Sequence, residues 1–215
     1  VTGAVPSLST RRLLAERTQE YAGQMTAEAA AYLLGRGITK EAAEFFRIGF
    51  VASPLPGDDM YAGRLAIPYC TPSGVVAMKF RSLGGEKDNR FITFTGTTMK
   101  RLYNPGVLVK PHLTIYLCEG EIDTITAWMC GLPALGIPGV KQWRRTFSRA
   151  LRNRRVVVLA DGDDNGEGER FADTISGDVD DCGVILLTDE DVNSYFMKHG
   201  KDGLRERVGL SGRGS

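Results

Sequence analysis

Leu113-Thr-Ile-Tyr-Leu-Cys-Glu-Gly-Glu-Ile-Asp123 and, further on, Arg155-Val-Val-Val-Leu-Ala-Asp-Gly-Asp163 are built alike: a short apolar run that ends in acids and a glycine. Such runs, β-branched and without polar alternation, read as strands buried on both faces. A helical stretch follows each, Ile122–Cys130 after the first and Glu167–Ile175 after the second. Ala134–Ile137 and Val184–Leu187 are two further strand candidates, and Val192–Lys198 a closing helix. In Lys141–Arg152, Trp143, Phe147 and Leu151 recur every four residues, which predicts one more helix. Strands that alternate with helical crossovers predict an α/β unit, a Rossmann-like parallel sheet covered on both faces.

In an open parallel sheet, ligands bind outside the carboxyl ends of the strands. Three acidic clusters fall there: Glu119-Gly-Glu-Ile-Asp123, Asp161-Gly-Asp-Asp-Asn-Gly166 and Asp189-Glu-Asp-Val-Asn193. Carboxylates brought to one edge repel and raise one another's pKa unless a cation neutralises them. Oxygen ligands suit magnesium or manganese. Zinc is not expected, because Cys70, Cys118, Cys130 and Cys182 form no CxxC pair and His112 and His199 are the only imidazoles. Asp161–Gly166 opens like a calcium-binding loop, but the twelfth position is Ala172 where a bidentate glutamate is needed, and the stretch before it is strand-like. No G-x-x-x-x-G-K-[ST], G-x-G-x-x-G or G-x-S-x-G occurs, so a Walker ATPase, a dinucleotide fold and a serine hydrolase lose their support.

Upstream the character differs. Residues 11–34 read as helix, stopped at Gly35-Arg36-Gly37, and Lys40–Phe46 as a second, short helix capped by Thr39. Short strand candidates follow at Ile48–Val51, Arg64–Tyr69, Val75–Arg81 and Arg90–Phe94, with a hairpin through Thr71-Pro-Ser-Gly74. The change of rhythm divides the chain into a smaller α+β subdomain (1–112), the parallel unit (113–200) and a short helical or flexible tail (201–215). Charge divides with it. Residues 1–110 hold 14 basic and 9 acidic side chains, residues 111–215 hold 13 and 17. Lys141–Arg155 is a local exception, with seven basic residues and no acid. Segregation of this kind suits a polyanion on one surface and multivalent cations on another. No apolar run approaches the roughly 20 residues that span a bilayer, and no secretory leader opens the chain, so a cytoplasmic protein with no membrane partner is expected.

The strand–Glu119-Gly120 and strand–Asp161-Gly162-Asp163 steps resemble the Toprim domain of DnaG-type primases, topoisomerases and some nucleases. Asp123, one turn after Glu119, and Asp191-Val-Asn193 resemble the primase form of that domain. Tyr32–Lys40 running into Phe46-Arg-Ile-Gly-Phe50 is similar to the opening of the bacterial primase core. Gly63-Arg-Leu-Ala-Ile-Pro68 with Gly74–Arg81 resembles its hairpin, and Lys100-Arg-Leu-Tyr103 the step before the Toprim strand. The resemblance covers roughly residues 27–200 and implies a primase catalytic core of bacterial or phage kind. It implies RNA primer synthesis from NTPs on a single-stranded DNA template, with two Mg2+ or Mn2+ ions. By that resemblance Asp161, Asp163 and Asp191 are the main metal ligands, Asp123 and Asn193 auxiliary ones, and Glu119 a general acid–base or further ligand. Asp164, Glu121 and Glu190 are expected as solvated flanking acids. Arg64, Lys79, Arg81, Arg90, Lys100 and Arg101 are expected to carry template or NTP phosphates. The family's zinc ribbon and helicase-binding domain are not found in this sequence, as expected of either an excised catalytic core or a minimal phage-type primase, with a replicative helicase or a separate zinc-ribbon helper as partner. A Toprim nuclease using the same acids, and a non-catalytic single-strand binding module, are the alternatives.

Overall fold

A computed structural model describes residues 5–84, 91–162, 166–188 and 190–210. Chain contacts divide it into two compact units, one up to Met99 and one from Lys100 onward. The boundary precedes Leu113 because Lys100–Pro111 belongs to the parallel unit: Tyr103 exchanges backbone hydrogen bonds with Gly136 at 2.7 and 3.0 Å.

In the first unit, helices α1 (Leu8–Ala22), α2 (Ala27–Leu34) and α3 (Lys40–Phe45) precede the strands β1 (Gly49–Phe50), β2 (Arg64–Thr71), β3 (Gly74–Ser82) and β4 (Phe91–Thr93). The single helix expected over 11–34 is two, because Thr26 starts a new one by accepting from the Ala29 N–H with its hydroxyl. Ser7 and Thr39 cap α1 and α3 in the same way. The sheet is antiparallel in the order β1-β2-β3-β4. Leu14 and Tyr21 of α1 pack with Met78, Phe80 and Phe94 into its core.

The second unit holds β5 (Thr114–Cys118), α4 (Glu121–Met129), β6 (Ala134–Gly136), β7 (Arg155–Gly162), α5 (Glu167–Ser176), β8 (Cys182–Thr188) and α6 (Val192–Arg207). Its sheet is wholly parallel in the order β6-β5-β7-β8. Side chains alternate between two cores, as the pleat requires. Ile115, Leu117, Val156, Val158 and Ala160 face a core shared with Phe171 and Ile175 of α5. Tyr116, Cys118, Val157 and Leu159 face the other, with Ala127 of α4 and Leu204 of α6. The expected helix over Lys141–Arg152 is replaced by 3-10 turns at Val140–Gln142 and Arg145–Leu151. Its apolar spacing still buries Trp143, Phe147 and Leu151, but like charges one helical turn apart, such as Arg145 and Arg149, weaken an α-helix. α6 continues past residue 200 through a break at Gly200 (φ 71°), so part of the expected tail is helix.

Candidate active site

The acids stand at the carboxyl ends of adjacent parallel strands. β5 ends at Cys118, and Glu119-Gly120 leads directly into α4, whose Thr124 returns its N–H (3.1 Å) and hydroxyl (2.6 Å) to the Gly120 carbonyl. β7 carries Asp161 and Gly162 as its last residues. The two strand ends are tied across the sheet, because the Asp161 N–H donates to Glu119 Oε1 at 3.3 Å. Burial first, then the charges of Asp123, Asp161 and Glu119, push the Cys118 thiol well above its ordinary pKa. Three carboxylates therefore act on one buried sulfur at this edge.

Glycines set the spacing, and at three of them the sequence reading assigned no packing role. A Cβ on Gly162 would strike the Leu187 carbonyl of β8, and one on Gly168 would strike the Asp161 carbonyl. One on Gly136 would overlap the Thr124 hydroxyl. These are places where two elements approach as closely as backbone allows. The signal was legible only for Gly162, which sits inside an Asp-Gly-Asp step.

Asp191 caps α6, its Oδ1 accepting from the Ser194 N–H at 2.6 Å. Asn193 is buried; its backbone N–H donates to Asp123 Oδ1 at 3.1 Å and its Nδ2 to Thr126 Oγ1 at 2.9 Å. Asp123 and Asn193 thus fasten α6 to α4. Two acids expected to be solvated are not. Glu121 is only 2% exposed, and Glu190 pairs with Lys198 at 3.0 Å and lies 3.9 Å from His199. Their positions in the first turn of α4 and just ahead of α6 fold them into the unit, which a count of flanking acids cannot reveal. Asp163 and Asp164 lie outside the described residues.

Among the described residues, no group of three or more His, Cys, Asp or Glu side chains is gathered closely enough to hold a metal ion. The donor chemistry of Glu119, Asp123 and Asp161 is all-oxygen and anionic, which fits a hard divalent cation.

The predicted phosphate-binding residues are spread over both units. In the first, Arg81 is buried; its Nε donates to the Tyr32 hydroxyl at 2.9 Å and its guanidinium lies 5.2 Å from the Phe91 ring centre. Lys79, also buried, has its ammonium 4.0 Å over the same ring. Arg36, which the sequence reading did not include, shares the Tyr32 hydroxyl at 3.1 Å. Arg64 opens β2 and is half-buried. The result is a cation–aromatic cluster, with Phe91 partly exposed beside it. In the second unit Lys100 is exposed, whereas Arg101 is buried and desolvation lowers its pKa. Arg90 lies outside the described residues.

The fold is that of the DnaG primase catalytic core. The RNA polymerase domain of Mycobacterium tuberculosis primase DnaG superposes with a TM-score of 0.75 at 19% identity, covering 94% of this chain and 84% of that one. A DnaG primase catalytic domain solved bound to single-stranded DNA gives 0.70 at 18% identity, covering 94% and 80%. In sequence, the DNA primase of Halalkalibacterium halodurans is 24% identical over 221 aligned positions, which take in 82% of this chain but 37% of that protein. The Gene 57 protein of Mycobacterium phage D29 is 38% identical over 156 residues, 69% of this chain and all of that protein. The chain belongs to the family of that phage protein. No protein-family model matches the sequence.

Proposed function

We propose that the chain is a primase catalytic core that joins NTPs into an RNA primer on a single-stranded DNA template. The observation that carries this is the Glu119–Asp161 pair at adjacent strand ends, set within the DnaG core fold. Asp161, Asp163 and Asp191 would hold two divalent ions, Mg2+ or Mn2+, with Asp123 and Asn193 as outer supports. When bound, such ions neutralise triphosphate charge and activate a hydroxyl nucleophile. Glu119 is held by the Asp161 N–H at 3.3 Å. Its remaining carboxylate capacity suits a proton acceptor or a further ligand.

The cation–aromatic cluster of Lys79, Arg81 and Phe91, with Arg64, Arg90, Lys100 and Arg101, supports a reading in which phosphates are held by charge and bases by stacking. No helix among the described residues is long and apolar enough to cross a membrane, and the proposed work on a DNA template suits the cytoplasm of a bacterial or infected cell. A replicative helicase, or a chain with its own zinc ribbon, is the proposed partner.

The test supplies single-stranded DNA, NTPs and Mg2+ or Mn2+ and looks for new oligoribonucleotides. Synthesis that disappears in Asp161→Asn is the expected outcome. Shortened template in place of new RNA would instead make the chain a nuclease.

A further inference from the structure

The basic run Lys141–Arg155 takes no part in the proposed chemistry, yet residues from Arg145 to Arg155 line a cavity of about 860 Å³ in the parallel unit. The cavity lies at the amino ends of the strands, among Thr114 at the start of β5, Arg155 at the start of β7 and Asp181 just before β8. That is the sheet edge opposite Glu119 and Asp161. Some of its charge is already committed. Arg154 donates to the Leu108 carbonyl at 2.9 Å. Asp178 accepts from the Trp143 indole at 2.8 Å and lies 3.5 Å from Arg145 Nε.

Arg149, Arg152 and Arg155 are different. All three are exposed, and among the described residues none of their guanidinium groups makes a hydrogen bond or an ion pair. Asp180 and Asp181, on the β8 side of the rim, are exposed and make no ion pair with them. These three cations share the cavity with Asp178, Asp180 and Asp181 but form no ion pair with them, and a bound anion offsets the repulsion among the like charges. Planar guanidinium forks match phosphate oxygens. Several separate arginines gain most from a chain of regularly spaced phosphates, since each phosphate neutralised releases a counterion.

We infer that Arg149, Arg152 and Arg155 form a second binding surface for the phosphates of a nucleic-acid strand, on the sheet edge opposite the acids. This rests on the reading that the chain works on nucleic acid, but it involves neither the metal nor the reaction. The test is binding of a labelled oligothymidylate by the full chain, followed by anisotropy across a salt series without divalent ions. In Arg149→Gln/Arg152→Gln/Arg155→Gln the slope of log Kd against log salt should fall by about 2, at roughly 0.7 for each single-strand phosphate no longer neutralised. Thermal melting checks the fold, and the single variant Arg152→Glu, at an exposed turn, serves if the triple variant is unstable. A slope equal to that of the wild type in a folded variant overturns the inference alone. Wild-type protein that binds no strand overturns it together with the strand-binding part of the proposed function. If the variant loses only binding of polyglutamate or of free NTP, the surface belongs to an acidic protein segment or to a nucleotide, and the strand assignment falls.

Discussion

Asp58 is a residue whose importance depends on where the chain puts it. It is 2% exposed, its Oδ2 meets Arg17 Nε at 2.7 Å, and the Tyr21 hydroxyl donates to the same oxygen. Asp58→Ala would leave the Arg17 guanidinium buried without its anion, at an expected cost of about 3–5 kcal/mol, measurable by urea denaturation. Burial, and then the bond to Asp58, push the Tyr21 hydroxyl up to about 12. A phenol whose pKa is raised on folding keeps its proton in the native state after the unfolded state has lost it. Its contribution to stability is complete below pH 10 and disappears as pH rises from 10 toward 12. Melting temperature followed over that range in the wild type and in Tyr21→Phe should fall more steeply for the wild type. Gly168 works by size alone: Gly168→Ala drives a methyl into the Asp161 carbonyl, with an expected loss of about 1–3 kcal/mol. Primer synthesis should fall with it, because the displaced group carries a candidate catalytic acid. Gly106→Ala, with open space around it and no positive φ, is the neutral control.

Between elements, the join that matters most for the site is α4 to α6. Asn193 supplies two of its hydrogen bonds, one from the backbone to Asp123 and one from the side chain to Thr126. Asn193→Ala removes the second and leaves the buried Thr126 hydroxyl short of a donor, at an expected cost of about 1–3 kcal/mol. Amide exchange should rise first in α6 and only weakly in β5 and β7, whose hydrogen bonds lie inside the sheet. An Asp-x-Asn step was readable as a ligand motif, but not as a joint between helices. The partner that makes it one, Thr126, stands 67 residues earlier in the chain. The turns over Arg145–Leu151 are a second case. Their apolar spacing was legible, yet spacing alone does not separate an α-helix from a 3-10 run.

At the scale of the whole molecule, charge and topology make one prediction together. If the cation–aromatic cluster of the first unit grips strand phosphates, Arg81→Ala combined with Arg90→Ala lowers the salt slope of strand binding by about 0.7 for each phosphate it no longer neutralises. In combination with the Arg149, Arg152 and Arg155 changes, the losses should sum if the two sets of arginines act independently. The alternation of apolar runs and helices was enough to establish the parallel sheet. Continuous hydrophobicity over five or six residues, enriched in β-branched side chains and flanked by glycine, favours a strand covered on both faces, and crossovers impose the direction. The acids at strand ends were legible for the same reason, since strand direction alone sends Glu119 and Asp161 to one edge. Sequence could not say which acids are buried, which arginines are spent on aromatic rings and carbonyls, or which glycines let two backbones touch. Those depend on neighbours distant in the chain, and only packing brings Leu187 to Gly162, Tyr32 to Arg81 and Thr126 to Asn193.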